Sequence, residues 1–278
     1  MGTEPARPAT TAQRLAVRNG VAEAGARTVA EETPVAIVHD GSTYAVMMAT
    51  PADLEDFAVG FSLTEGVIER PDEVTGLEIV AGALGIELRM WLAPERGRQL
   101  SARRRTMAGP TGCGLCGIES LEALQRPRRR PLAEPGPLTP DDIRAAMAAI
   151  DEGQALGHET RAVHAAGFWR PVEGLIALRE DVGRHNALDK LAGAMARGGP
   201  TPAWAPAGVL VLTSRVSVEL VEKAAVMGAA VIAAVSAPTA LAIRTAQANE
   251  ITLIAVARPD GFEVFTRPDR LLLPGSQA

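Results

Sequence analysis

The chain has 278 residues, of which 47% are hydrophobic and 22% charged, and its formal net charge is −5 at pH 7. This composition is typical of a soluble globular protein and excludes a largely disordered, collagen-like or coiled-coil chain. The negative charge argues against a general nucleic-acid-binding protein. Of the 28 basic residues, only Lys190 and Lys223 are lysines.

The N-terminal segment lacks the marks of an export signal. Its first 20 residues contain no apolar stretch of the kind that a secretory signal peptide needs. Residues 1–30 are rich in Ala, Pro and Thr, and we predict a flexible arm that includes a short edge strand. In the following segment, 33–51, Asp40-Gly41 lies between two β-like runs, which predicts a hairpin.

A helix and a second hairpin are predicted next. Thr50 and Pro51 indicate a helix start, with Thr50 as the N-cap and Pro51 at the first helical position. The run LEIVAGALGIELRMWL, residues 77–92, predicts a hairpin bent at a glycine. Residues 31–92 are therefore predicted to form a small α+β domain.

Residues 93–137 are predicted to be an Arg- and Pro-rich segment containing a long loop. Nine arginines lie between Arg96 and Arg130, against only Glu119 and Glu122. A basic patch in an acidic protein suggests an anionic ligand or an acidic partner surface. The alternative is a solvated, mobile loop.

The remainder, residues 138–278, alternates strands with helices. The predicted strands cover 174–181, 208–214, 229–236, 251–257 and 262–265, and the predicted helices between them cover 184–196, 216–228 and 238–249. Apolar, non-alternating strands separated by helices are typical of a largely parallel sheet with both faces covered. Such sheets bind ligands beyond the carboxyl ends of their strands. These ends are polar or turn-forming here, which predicts a pocket at that edge.

One uncharged stretch, residues 224–243, is long enough for a membrane span. It is interrupted by Gly228, Ser236, Pro238 and Thr239. We predict a buried strand and helix in an α/β core, and no membrane segment.

The sequence TGCGLCG, residues 111–117, contains Cys113 and Cys116, the two cysteines of the chain. Nearby arginines and a following helix N-terminus would favour a thiolate there. Three interpretations compete: a redox dithiol, half of a zinc site, and a sulfur carrier holding a persulfide. A zinc site would need further ligands from His39, His158, His164 or His185. Two cysteines without an export signal favour a reducing compartment, and we expect a cytoplasmic protein.

A second polar cluster is REDVGRHNALDKL, residues 179–191. Arg184 and His185 at the start of a helix would suit a phosphate group. In the alternative, Asp181 caps this helix and Asp189 pairs with a basic residue.

Weaker polar signals occur at other turns. His164, in AVHAAGF, is either a core histidine or a ligand. TSRVSVE, residues 213–219, and SAPTALA, residues 236–242, place hydroxyl groups before predicted helices. Each is weak alone because Ser and Thr commonly serve as caps, but together they would line one edge of the sheet.

The order of these motifs is similar to that of a known family. TGCGLCG, HAAGF, REDVGRHNALDK, TSRVSVELVEKA and SAPTALA, preceded by TPVAIVHDG and TPADLEDFAVGFSLTEGVI, resemble the FdhD family of formate dehydrogenase accessory sulfurtransferases. The resemblance covers about residues 31–272. It implies a cytidine-deaminase-like three-layer α/β fold for the C-terminal part, with a smaller N-terminal α+β unit.

The resemblance also implies an activity. Members of the family accept persulfide sulfur from a cysteine desulfurase and pass it to the bis-molybdopterin guanine dinucleotide cofactor (Mo-bisMGD), a step required for formate dehydrogenase activity. The match makes Cys113 the persulfide carrier and Cys116 a helper thiol. Mo-bisMGD would be a bound substrate, and no tightly bound metal is expected. The implied partners are the desulfurase and formate dehydrogenase.

The cofactor site is expected in two places. The family's guanine-dinucleotide segment corresponds here to Val256, Ala257, Arg258, Pro259, Asp260 and Gly261. The match is loose, because Asp260-Gly261 departs from a more basic version. Phosphate or guanine groups are further expected to be held by Arg184, His185, Asn186 and Arg215.

Two other functions remain open. A zinc enzyme of the deaminase type would carry H-x-E and P-C-x-x-C. Here Gly112 precedes Cys113, and His158-Glu159 are adjacent, so the zinc signature is incomplete. The other function is a non-catalytic chaperone that docks the cofactor or the apoenzyme. A homodimer is one arrangement that the sequence leaves open.

Overall fold

The computed structural model of the chain describes residues 7–107, 131–198 and 207–273. The strands in these ranges form a two-stranded, a four-stranded and a six-stranded sheet. Helices pack on the two larger sheets, so the mixed α/β class predicted from the sequence is confirmed.

The predicted flexible arm contains a regular hairpin. Its strands are β1 (Ala9–Arg18) and β2 (Val21–Ala30), which pair antiparallel over all ten residues. Asn19 and Gly20 both have positive φ, 51° and 80°, as a tight two-residue hairpin turn requires. The sequence understated these strands because neither has a buried face, so the apolar alternation that signals a strand is missing.

A four-stranded sheet and one helix form the N-terminal unit. In chain order the elements are β3 (Thr33–His39), β4 (Ser42–Ala49), α1 (Leu54–Thr64), β5 (Val74–Gly82) and β6 (Gly85–Leu92). The sheet order is β4-β3-β6-β5. Both predicted hairpins, β3–β4 and β5–β6, are confirmed. Val35, Ile37 and Leu88 of the sheet pack against Phe57 and Phe61 of α1.

The predicted start of α1 is wrong. The helix begins at Leu54, four residues after Thr50, and its N-cap residue Asp53 makes no side-chain cap hydrogen bond. Thr50 is fully buried, and its Oγ1 accepts the N–H of Val182 at 3.1 Å. The hydroxyl group is therefore bonded to a segment 132 residues away in sequence, which no local capping pattern indicates.

The predicted long loop after β6 is also wrong in its first part. Residues Pro94–Met107 form helix α2. Arg96 of this helix lies 2.7 Å from Glu69 and 3.0 Å from Glu73, so its guanidinium group is used within the fold. Pro94 and Glu95 in the first turn are helix-start signals that the run of arginines obscured.

Among the described residues, the six-stranded sheet and five helices form the C-terminal unit. The strands are β7 (His164–Arg170), β8 (Gly174–Asp181), β9 (Val209–Leu212), β10 (Val231–Ala234), β11 (Thr252–Arg258) and β12 (Gly261–Thr266). The helices are α3 (Pro140–Gly153), α4 (Ala155–Thr160), α5 (Arg184–Arg197), α6 (Val218–Met227) and α7 (Ala240–Ala248). The predicted alternation from β8 to β12 is confirmed, whereas β7 carried no strand prediction.

The sheet order is β12-β11-β10-β9-β7-β8. Strands β9, β10 and β11 are parallel, and β7 is antiparallel to both β8 and β9. Leu210 and Leu212 of β9 pack on the side of α5, α6 and α7, whereas Val209 and Val211 pack on the side of α3. Both faces of the sheet are therefore buried, which explains the non-alternating apolar strands.

The uncharged stretch 224–243 covers the end of α6, all of β10 and the start of α7. Its division into helix, strand and helix matches the predicted α/β core. In the part of the chain that the structure describes, no helix has the length and apolar character needed to cross a bilayer.

The two units meet where α1 crosses α5, and two glycines allow the close approach. A Cβ on Gly60 would lie 1.7 Å from the backbone oxygen of Asp189. A Cβ on Gly193 would lie 1.9 Å from the backbone oxygen of Asp56. The helices can approach this closely because neither position carries a side chain.

Gly60→Ala and Gly193→Ala are each expected to lower the free energy of unfolding by about 2–3 kcal/mol, because the added methyl group overlaps backbone oxygen. Chemical denaturation measures this loss. The matched control is Gly25→Ala, whose Cβ would meet nothing within 4 Å. It should change stability by less than about 0.5 kcal/mol. Equal stabilities of the three variants would contradict the close crossing.

Candidate functional site

The carboxyl ends of β8, β9, β10 and β11 meet at one edge of the six-stranded sheet. His164, at the start of antiparallel β7, lies at the same edge because it pairs with Asp181. We call this the carboxyl edge and define it by His164 and residues 181–185, 213–217, 235–239 and 256–261. The polar strand ends singled out in the sequence are thus brought together.

The turn between β8 and α5 is organised by Asp181. This carboxylate is fully buried and pairs with Lys190 at 2.6 Å. It also accepts hydrogen bonds from the backbone N–H of Thr50 at 3.0 Å and of Gly183 at 2.7 Å. Burial lowers the pKa of Lys190, an effect that the charge of Asp181 opposes. The predicted capping of α5 by Asp181 is wrong: Gly183 is the N-cap residue, and Asp181 instead pairs with Lys190 and holds the turn before the helix.

Asn186 has a role within the fold. It is buried, and its Nδ2 donates to the backbone oxygen of Met48 at 2.8 Å and to Asp181 at 3.0 Å. Asp189 likewise pairs with a basic residue, as the structural alternative predicted: Lys223 lies 2.8 Å away. Burial tends to lower the pKa of Lys223, but Asp189 and Glu65 outweigh it, and the pKa is raised.

Arg184 and His185, unlike Asp181 and Asn186, have side chains that are suited to contact a ligand. The Nε atom of Arg184 is buried and has no hydrogen-bond partner among the described residues. Burial lowers the pKa of His185 to about 4, helped by the charges of Arg184 and Lys223. Burial and Arg184 also lower the pKa of His164. Arg184 is therefore a permanent cation near two imidazoles that stay neutral at pH 7.

The helix N-termini at this edge differ in capping. Thr239 caps α7 by accepting the N–H of Ala242 at 3.2 Å. Gly183 and Ser217, at the N-cap positions of α5 and α6, make no side-chain cap hydrogen bond. At α6 the carboxylate of Glu219 accepts from the Ser217 hydroxyl and from its own backbone N–H. The uncapped N–H groups that, with the helix dipole, favour a negatively charged ligand are therefore those of α5. The edge as a whole is thus suited to an anion.

The segment from Val256 to Gly261 also lies at this edge. Val256 has φ of 53°, unusual for a β-branched residue, at a register shift between β11 and β12. Arg258 is exposed, and its Nη1 donates to the backbone oxygens of Val235 at 2.5 Å and Ala257 at 2.7 Å. Its guanidinium group therefore connects the ends of β10 and β11. The exposed residues that follow are Pro259 and Asp260.

The remaining predicted residues divide in two groups. Arg215 is exposed in the turn after β9, at the carboxyl edge. Cys113 and Cys116 lie outside the described residues.

Sequence reasoning missed Thr50, whose hydroxyl and backbone groups contact the β8–α5 turn. Its burial was not detectable because Thr-Pro before an apolar run has the ordinary pattern of a helix cap.

Ser217 and Glu219, which belong to the predicted polar turn 213–219, lie beside His185. Nε2 of His185 lies 3.5 Å from the Ser217 hydroxyl and 3.9 Å from Glu219. The neutral imidazole can donate or accept one hydrogen bond here, depending on its tautomer.

His185 is expected to titrate near pH 4, measured by NMR of its imidazole nitrogens. Because its pKa is lower in the folded chain than in the unfolded one, the unfolded state takes up the proton first. Stability should therefore fall as pH drops from about 6.5 towards 4. His185→Gln should remove this part of the pH dependence in urea denaturation. A midpoint near 6.5 would contradict the burial effect.

Comparison with known proteins gives one consistent result. A family model described as the FdhD/NarQ family matches residues 30–272. Relatives named sulfur carrier protein FdhD include that of Agrobacterium fabrum, 53% identical over 260 residues that cover 94% of this chain and 95% of the relative. That of Brucella abortus is 53% identical over 258 residues, 93% of this chain and 95% of the relative.

A solved structure agrees with these relatives. The crystal structure of a putative formate dehydrogenase accessory protein from Desulfotalea psychrophila is 26% identical, with a TM-score of 0.73. The match covers 95% of this chain and 99% of that one. Both the sequence motifs and the fold therefore agree over almost the full length. The chain belongs to the FdhD/NarQ family.

Proposed function

We propose that this chain is a sulfurtransferase that accepts persulfide sulfur from a cysteine desulfurase and delivers it to Mo-bisMGD for formate dehydrogenase. The relatives' name, sulfur carrier protein, supports the sulfur-transfer part. The solved neighbour's title, which describes a formate dehydrogenase accessory protein, supports the target. The observation in this chain that supports the anionic cofactor is the carboxyl edge, where Arg184 lies at the uncapped N-terminus of α5.

Sulfur would be loaded by thiolate exchange. The Cys113 thiolate attacks the outer sulfur of the desulfurase persulfide, an S–S bond forms on Cys113, and the desulfurase thiolate leaves. No oxidant is needed, because the sulfane sulfur only changes its carrier. The arginine-rich sequence around Cys113 would favour the thiolate that this step needs.

Delivery requires two electrons, and Cys116 can supply them. Its thiolate attacks the inner sulfur of the Cys113 persulfide, which forms a Cys113–Cys116 disulfide and releases the outer sulfur as hydrosulfide. This hydrosulfide would be the sulfur donated to Mo-bisMGD, the substrate of the transfer. A cellular thiol reductant then restores the dithiol for the next cycle.

The guanine nucleotide would bind along the carboxyl edge. Its phosphates suit the N-terminus of α5 and the guanidinium groups of Arg184 and Arg215. His164 and His185, being neutral, would offer single hydrogen bonds without adding charge. The segment from Val256 to Gly261 would form the other wall of the site.

Arg184→Ala and Arg215→Ala are expected to weaken GDP binding, each by about 10- to 100-fold, because each removes a charge-assisted hydrogen bond. Isothermal titration calorimetry measures the affinity. Arg144→Ala is the matched control, since Arg144 is an exposed arginine on α3 that pairs with Asp141. Unchanged affinity in both edge variants would refute their assignment to the nucleotide.

Cys113 is expected to gain one sulfur atom when the chain is incubated with a cysteine desulfurase and cysteine. Non-reducing intact and peptide mass spectrometry detects the adduct, which Cys113→Ala should lose and Cys116→Ala should retain. The absence of an adduct, with one zinc ion bound per chain, would instead favour the metal-site interpretation of the two cysteines.

A further inference from the structure

The turn that begins helix α5 is held by the N-terminal unit. Val182 and Gly183 connect β8 to α5 and immediately precede Arg184 and His185. The backbone N–H of Gly183 is taken by Asp181 at 2.7 Å, within the turn itself. The N–H of Val182 has its acceptor in the other unit: Oγ1 of Thr50, at 3.1 Å.

Thr50 uses three of its polar atoms on this one region. Besides the Oγ1 contact, its backbone N–H donates to Asp181 at 3.0 Å, and its backbone oxygen accepts from Lys190 at 2.8 Å. Two residues earlier, the backbone oxygen of Met48 accepts from Asn186 at 2.8 Å. Residues 48–50 thus make four hydrogen bonds to residues 181–190, across the boundary between the two units.

We propose that Thr50 is a positioning residue for the nucleotide site. It fixes the β8–α5 turn, and through it the first turn of α5, so that Arg184, His185 and the N–H groups of the helix are aimed at the carboxyl edge. This inference rests on the proposed function for the identity of the ligand. The geometry of the turn is independent of that function.

The hydroxyl contact of Thr50 can be removed by substitution without removing its backbone contacts. Thr50→Val keeps the shape and the backbone contacts of the fully buried Thr50 but removes the acceptor from the N–H of Val182, a half-buried residue. An unsatisfied donor is costly, so the turn is expected to shift until that N–H finds water or another acceptor. Thr50→Ser keeps the oxygen and should restore the contact.

A matched control lies further along the same helix pair. Thr64 is also a buried threonine at the junction of α1 with α5, and its Oγ1 lies 2.6 Å from Asp189 and 2.9 Å from Lys223. Thr64→Val removes three hydrogen bonds of this hydroxyl group, to Phe61, Asp189 and Lys223, against one in Thr50→Val, and none of the three is to the β8–α5 turn. It therefore reports general destabilisation without a change at the turn.

GDP affinity, measured by calorimetry, is expected to be about tenfold weaker in Thr50→Val and close to wild type in both Thr50→Ser and Thr64→Val. Thermal unfolding of all four proteins separates lost affinity from lost stability. Equal losses of affinity in Thr50→Val and Thr64→Val would refute a positioning role, because they would indicate destabilisation alone.

Amide hydrogen exchange at Val182 and Gly183 tests the same inference without ligand. After correction for global unfolding, exchange should be at least about tenfold faster in Thr50→Val than in wild type, Thr50→Ser or Thr64→Val. Unchanged exchange would overturn the inference. If wild-type protein does not bind GDP, the nucleotide part of the proposed function fails, and the exchange result alone decides the role of Thr50.

Discussion

The buried ion pair between Asp181 and Lys190 is the constraint on which the rest of the arrangement depends. Both side chains are fully excluded from solvent, so the loss of hydration must be offset by their attraction and by further hydrogen bonds. Those bonds come from Thr50, Gly183 and Asn186, and they tie two units of the chain together. Removing one partner of such a pair typically costs about 3–5 kcal/mol, because the other charge stays buried.

In the same arrangement, some charged side chains pair with each other inside the fold, whereas others remain available to a ligand. At the junction of α1 and α5, the buried carboxylates pair with the buried lysines: Asp181 with Lys190, and Asp189 with Lys223. Arg184 at the end of that junction has a buried Nε without a partner among the described residues, at the N-terminus of α5, which lacks a side-chain cap. The neutral histidines add hydrogen-bonding capacity and no charge. The carboxyl edge thus presents Arg184, Arg215 and Arg258 in a protein whose net charge is −5.

Much of the fold could be predicted because its signals are local. The strands and helices from β8 to β12 alternate with clear apolar runs, and parallel strands bring their carboxyl ends together by geometry. The features that were missed depend on distant contacts. Thr50 bonds to a turn 132 residues away, and β1 and β2 pair without a buried face. The burial of Asn186 follows from the position of β4, which no local pattern encodes.

The use of lysine has a consequence for chemical labelling. The chain has two lysines against many arginines, and both lysines are buried: Lys190 completely, and Lys223 among Thr64, Glu65 and Asp189. No ε-amino group is therefore available on the surface of the folded protein. Reagents that acylate amines will reach only the chain's α-amino group until the junction of the two units opens. Amine acylation thus measures opening of the fold, and cross-linking to a partner calls for reagents directed at thiol, carboxylate or guanidinium groups.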